Sequence, residues 1–247
     1  MNNSYNKCGL FVLIISMLCM QVNAQNDRSE ILRVFQMVSD KYSTEPLRFE
    51  IKYYYADADK PNTLLDSLSG ECILNKKSFW YGLDNTEIVS DSFFTVTLFK
   101  EDRLMYLSAP SKKALPQDPI KQFDTLLLNN KNIHFSLVRT GADYQISFEF
   151  DSVDVYKQMV FTVDGNRFLI KRVDNVVRAS ELYDPSVKSL LTTENKFAVV
   201  SMVMTNYRKE TGTSFIDSRK YFTRQGDSFI ANPPFENYKI FVGTPNL

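Results

Sequence analysis

The 247-residue chain balances 29 basic against 29 acidic side chains and carries a single histidine, so its formal net charge is zero. That balance excludes nucleic acid and anionic membrane surfaces as main partners. With one histidine and three cysteines, no ligand set of Cys and His pairs can be assembled, and neither a metal nor another cofactor is expected.

The first 24 residues, MNNSYNKCGLFVLIISMLCMQVNA, have the layout of a secretory signal: Lys7, an apolar stretch from Gly9 to Met20, then Val22-Asn23-Ala24. The apolar stretch is short for a membrane span, which needs about 20 residues. Leu18 precedes Cys19 where a lipid-attachment signal would place a small residue. Cleavage after Ala24 is therefore expected, giving a soluble, periplasmic or otherwise exported protein. Residues 25–247 then form one domain. Cys8 and Cys19 leave with the signal, so Cys72 stands alone and stability must come from the core rather than a disulfide.

A helix opens the remaining chain. Ile31, Val34, Phe35, Val38 and Tyr42 recur at helical spacing, Asp27 and Glu30 suit a capping box, and Pro46 follows the end. The period then changes to two: in LRFEIKYYY, Leu47, Phe49, Ile51, Tyr53 and Tyr55 alternate with Arg48, Glu50 and Lys52. Strand-like runs follow at Leu68–Leu74, Ser78–Leu83, Glu87–Ser90, Phe93–Lys100 and Arg103–Ser108, joined by turn residues such as Asp84-Asn85 and Glu101-Asp102. Pro119, with Ile120, Phe123 and Leu127 on one face, predicts a second helix. Strands resume at Ile133–Val138, Tyr144–Phe150, Tyr156–Val163 and Arg167–Val173, the last two joined by the hairpin signal Asp164-Gly165-Asn166. A short helix near Ser186–Leu191, a long strand Phe197–Arg208, and strands near Arg219–Arg224 and Tyr238–Val242 complete the chain. This order predicts a mainly β (α+β) fold, a large curved sheet or open barrel with helices against it.

Catalytic hardware is sparse. His134 lies in a strand-like run and reads as a packed or rim residue, and no Gly-x-Ser-x-Gly elbow, Ser-x-x-Lys motif or Gly-rich phosphate loop is present. Asp57-Ala58-Asp59 begins like a calcium loop, but Leu68 stands where the twelfth-position Glu belongs, so it reads as a solvated turn. Cys72 reads as a small buried hydrophobe. An enzyme is not expected. The positive signal is aromatic: 13% of residues are Phe, Trp or Tyr, concentrated in the strands, as a hydrophobic-ligand binder would require.

Gly70, Lys76-Lys77, Phe79-Trp80-Tyr81, Ile88-Val89-Ser90-Asp91 and Val96–Phe99, with the later hairpin Tyr156–Val176, form a pattern that resembles the LolA/LolB-like superfamily of periplasmic lipoprotein carriers and their relatives. It spans roughly Asp27 to Arg178; Ser92 replaces the turn Gly, and residues 179–247 form a divergent C-terminal part. The resemblance implies an unclosed antiparallel β-barrel with helices covering its concave face. It implies a lining of Phe49, Ile51, Tyr53, Trp80, Phe94, Val96, Leu98, Phe148 and Phe161, and a lid carrying Ile120, Phe123 and Leu127. Lys76 stands where carriers place a latching Arg, and lysine cannot form arginine's bidentate fork. The implied function is binding or carriage of acyl chains or lipidated proteins in outer-membrane lipoprotein or lipid trafficking, by a monomer. An alternative uses the same residues: a self-filled core serving as an envelope sensor or assembly module, with a membrane-protein partner.

Overall fold

The computed structural model describes residues 27–76, 78–110, 133–151, 155–182, 197–212 and 214–244. A helix, α1 (residues 27–44), opens this region. It buries Ile31, Val34, Phe35 and Val38, the stripe expected from their spacing. The expected capping box is not formed. Asp27 is itself helical, and Glu30 spends its carboxylate on Arg33, at 2.8 Å from Nε and 2.7 Å from Nη2.

The strands follow in chain order: β1 (Leu47–Asp57), β2 (Leu64–Asn75), β3 (Ser78–Leu83), β4 (Thr86–Ser90), β5 (Thr95–Phe99), β6 (Leu104–Ser108) and β7 (Ile133–Thr140). Then come β8 (Asp143–Phe150), β9 (Tyr156–Asp164), β10 (Leu169–Arg178), β11 (Phe197–Lys209), β12 (Phe222–Gln225), β13 (Ser228–Ala231) and β14 (Lys239–Val242). Twelve of them form one sheet in the order β14-β6-β5-β4-β3-β2-β1-β11-β10-β9-β8-β7. Different strands end the two edges, so the sheet is open, as expected, and mainly antiparallel. The exception is β14, which pairs parallel with β6. β12 and β13, of which β13 was not foreseen, form a hairpin outside that sheet. The second expected helix (Pro119–Leu127), with Ile120, Phe123 and Leu127, and the short one near 186–191 lie outside the described residues.

Register decides which side chains share a face, because directly paired antiparallel residues point the same way. One row runs Phe49–Cys72–Tyr81–Ile88–Thr97–Tyr106 across β1 to β6. Its neighbours on β11 to β8 are Met204, Met202, Val173, Phe161 and Ile146. This is the helix face: α1 packs Phe35 against Phe148 and Phe161, with ring centroids at 6.2 and 5.3 Å. The alternate row, Ile73–Trp80–Val89–Val96–Leu107, points to the opposite face. There Tyr221 and Phe222, with half-buried Phe229, Phe235 and Tyr238, form the cover. The fold therefore has two apolar layers on opposite faces, displaced along one sheet.

Gly70, at the start of the family-like stretch, is explained by close approach. A Cβ there would lie 2.2 Å from the carbonyl oxygen of Gly82 on β3, too near for any side chain.

Replacing Phe35 by Ala should cost about 3–5 kcal/mol, since it empties the centre of the helix layer. Leu65→Ala, at a position 68% exposed, should stay within about 0.5 kcal/mol. Urea unfolding midpoints of the two variants check this ordering.

Candidate functional site

The expected lining divides between the two faces. Phe49, Ile51, Tyr53, Phe148 and Phe161 belong to the helix face. Trp80, Val96 and Leu98 point the other way. Phe94 precedes β5 and packs edge-on against Phe222 at 5.0 Å and Phe229 at 6.1 Å. The reason is strand alternation: in Ser78–Leu83, Phe79 and Tyr81 share one face and Trp80 must take the other. The expectation of one common surface is corrected accordingly. Lys76 sits exposed in the β2–β3 turn with φ 57°, and among the described residues no ion pair engages it.

On the helix face, the residues that sequence reasoning passed over are tyrosines. Asn206, at φ 54° beside a bulge in β11, turns Tyr207 onto Phe49, with ring centroids at 4.7 Å. Tyr207 donates to the carbonyl of Ile170 at 2.7 Å and lies 2.6 Å from the hydroxyl of Tyr42 on α1. Burial pushes the Tyr42 phenol up to about 12, against its hydrogen bond with Tyr207 and the one it accepts from the Ile170 N–H. Tyr81 donates to the Tyr53 hydroxyl at 3.3 Å. Cys72 is buried between these groups, and burial, with the charge of Glu71, pushes its thiol up to about 12. It behaves as the small buried hydrophobe expected.

Beyond α1 the helix face continues toward β14 through half-buried Tyr81, Leu83 and Ile88. It ends in Phe99, Tyr106 and Phe241, exposed by 40%, 44% and 40%. A strip rich in aromatics, with Thr86 and Thr97 between its apolar members, thus passes from a packed core to an open end without a break in the sheet.

The opposite face is held by two carboxylates. Glu87 accepts from Trp80 Nε1 at 2.8 Å and from the Tyr221 hydroxyl at 2.6 Å, and pairs with Lys100 at 3.0 Å. Gly82 makes this possible: the Trp80 ring lies where a Cβ of residue 82 would be, 2.7 Å from its Cη2. Asp91 accepts from the backbone N–H groups of Phe93, Phe94 and Ser218 at 2.7, 3.0 and 2.8 Å. For both acids burial works to raise the pKa. Hydrogen bonds outweigh it and hold each below the usual carboxylate value, aided at Glu87 by the Lys100 charge.

His134 stands exposed on β7, 3.2 Å from Asp151. Asp57 turns its carboxylate back to the N–H of Asp59 at 3.0 Å, the solvated turn expected of that stretch. Among the described residues no group of three His, Cys, Asp or Glu could hold a metal ion, and no helix is long and apolar enough to cross a membrane.

No protein-family model and no curated protein matches the sequence. Solved structures with similar chain paths include an uncharacterized conserved protein from Thermus thermophilus, at 8% identity and TM-score 0.44, with 75% of this chain and 90% of that one covered. The MucA/MucB complex of Pseudomonas aeruginosa is similar at 10% identity and TM-score 0.44, covering 76% of this chain and 61% of that one. LprF from Mycobacterium bovis is similar at 8% identity and TM-score 0.31, over 78% and 98%.

Because both acids have folded pKa values below their unfolded ones, their contribution is present above the unfolded value of about 4 and lost as pH falls through the lower folded values. Urea midpoints should therefore drop on acidification below about pH 4. In Glu87→Gln the midpoint should be lower at neutral pH and the acid decline shallower. An acid decline of unchanged steepness in that variant would show that Glu87 does not contribute.

Proposed function

We propose that this protein is exported and non-catalytic, and that it binds acyl chains or lipidated molecules on the helix face, as a carrier or binder in lipid or lipoprotein trafficking. The observation that carries the reading is the strip itself, which leaves the packed core under α1 and runs out to Phe99, Tyr106 and Phe241. Burying an acyl chain against such a surface yields about 0.8 kcal/mol per CH₂, so affinity needs no directed polar contact. Tyrosine hydroxyls along the strip, Tyr53 and Tyr81 among them, give a headgroup or linkage oxygen partners. The resemblance of the sequence to lipoprotein carriers points the same way.

A second reading is favoured by a different observation. Phe148 and Phe161 are already buried beneath Phe35, as in a core that fills itself. On that reading the protein is an envelope sensor or assembly module, and the open end of the strip receives a membrane-protein partner.

Titration with a fluorescent fatty-acyl probe separates the two. The wild-type protein should bind it, and Phe99→Glu should weaken binding by about tenfold or more, because a carboxylate would be desolvated against hydrocarbon. Circular dichroism should be unchanged, since Phe99 is 40% exposed. Leu98 is no substitute, because it is buried on the opposite face. Failure of the wild type to bind, where a known carrier does, removes the acyl-binding reading and leaves the interaction module.

Cleavage after Ala24 to a soluble protein has its own test. N-terminal sequencing of protein recovered from its own envelope should begin at Gln25; an acylated Cys19 or an uncleaved chain would refute it.

A further inference from the structure

On the face opposite α1, in the middle of the sheet and beyond the strands that the C-terminal layer covers, lies a groove of about 590 Å³. Its floor is three paired rows from β1, β11 and β10. The outer rows are apolar at β11, with Ala56 beside Val199 and Val203 beside the stem of Arg172. The middle row is polar: Tyr54, Ser201 and Asp174. The β1–β2 connection, with Pro61 and Asn62, and Leu64 at the start of β2 form the wall.

The polar groups are pre-oriented. Arg172 Nε donates to the two oxygens of Asp174 at 2.8 and 2.7 Å, and Arg172 Nη2 donates to Ser201 Oγ at 3.0 Å. Ser201, itself 4% exposed, donates to Asp174 at 2.5 Å. The Arg172 side chain is 49% exposed, so its outer edge can meet a ligand.

This chemistry discriminates among ligand classes. A hydrocarbon chain laid across the groove would desolvate the middle row and its ion pair with nothing in return. A phosphate or carboxylate would meet an arginine already neutralised by Asp174, with that carboxylate beside it. A sugar hydroxyl both donates and accepts. The groove offers the donors of Arg172, the acceptors of Asp174, and Tyr54 and Asn62, each of which does both. The apolar body of the Tyr54 ring and the flanking valines suit the C–H faces of a pyranose.

The geometry points to a binding site for a neutral, hydroxyl-rich ligand, a short saccharide, in the groove formed by Tyr54, Asn62, Arg172, Asp174 and Ser201. The site is on the face opposite the proposed acyl strip, and the two stand or fall separately.

Saturation-transfer NMR with the purified protein tests it, using chitotriose and maltotriose as probes and inorganic phosphate and dodecanoate as contrasts. At least one trisaccharide should bind with a Kd near or below about 1 mM, typical of an open site with few contacts. Arg172→Gln and Asn62→Ala should each weaken it by about tenfold. Asn62 is exposed in a loop, so its variant reports on the groove even if loss of Arg172 disturbs the sheet. Absence of binding by both trisaccharides overturns the proposal, as does saccharide binding that survives both substitutions. Arg172-dependent binding of dodecanoate or phosphate without any saccharide also overturns it, and marks the groove as an anion site.

Discussion

The pairing of β1 with β11 joins two antiparallel meanders that the chain lays down far apart, β2–β6 on one side and β7–β10 on the other. Ile51 sits opposite Met204 and Tyr53 opposite Met202, which places the inward set of each meander on one continuous surface. A slip of one residue at this junction would turn every side chain of one half to the wrong face. The tyrosine pair Tyr42 and Tyr207 fixes the same junction from above. It ties α1 to the backbone of β10 through Ile170, so the helix cannot slide without breaking a buried hydrogen bond.

From that junction the two-layer arrangement follows. A sheet of twelve strands presents far more apolar surface than one helix can cover, and α1 serves only the half that contains β7 to β11, β1 and β2. The other half buries its opposite face under the C-terminal residues. Where the layers overlap least, on the outer side of β1, β2 and β11, the row is charged. Arg48 and Arg208 converge on Glu71, and Arg48 also reaches Glu210 at 3.5 Å. These side chains are only partly exposed, and the Phe215 ring lies over the Arg48 guanidinium at 5.3 Å, so the ion pairs carry an aromatic cover of their own.

Elements with local signals were legible in the sequence. The helix stripe of Ile31, Val34, Phe35 and Val38 and the strand Ser78–Leu83 needed only spacing, and Leu47, Phe49 and Ile51 alternate as a half-buried strand must. Which set of an alternating strand faces the helix was not legible, because period two yields two equal classes. Only the non-local match of Phe49 to Cys72 and Cys72 to Tyr81 selects Tyr81 over Trp80. The C-terminal layer was hidden for the same reason. Phe222 and Phe229 mean little until the turn before β5 brings Phe94 against them. The groove around Arg172 and Asp174 had no sequence signal, since its polar residues come from three strands and a loop, each unremarkable alone.

Trp80 is the only tryptophan in the chain, and its indole is hydrogen-bonded to the carboxylate that also holds Tyr221. Intrinsic emission excited at the red edge therefore watches the C-terminal layer and is nearly blind to α1. Helical dichroism, to which α1 contributes, watches the junction instead. The two layers share a sheet but no side chains, so each can open as its own cooperative unit. The molecule carries separate native optical labels for the two events, and the order in which its faces come undone can be timed without attaching a dye.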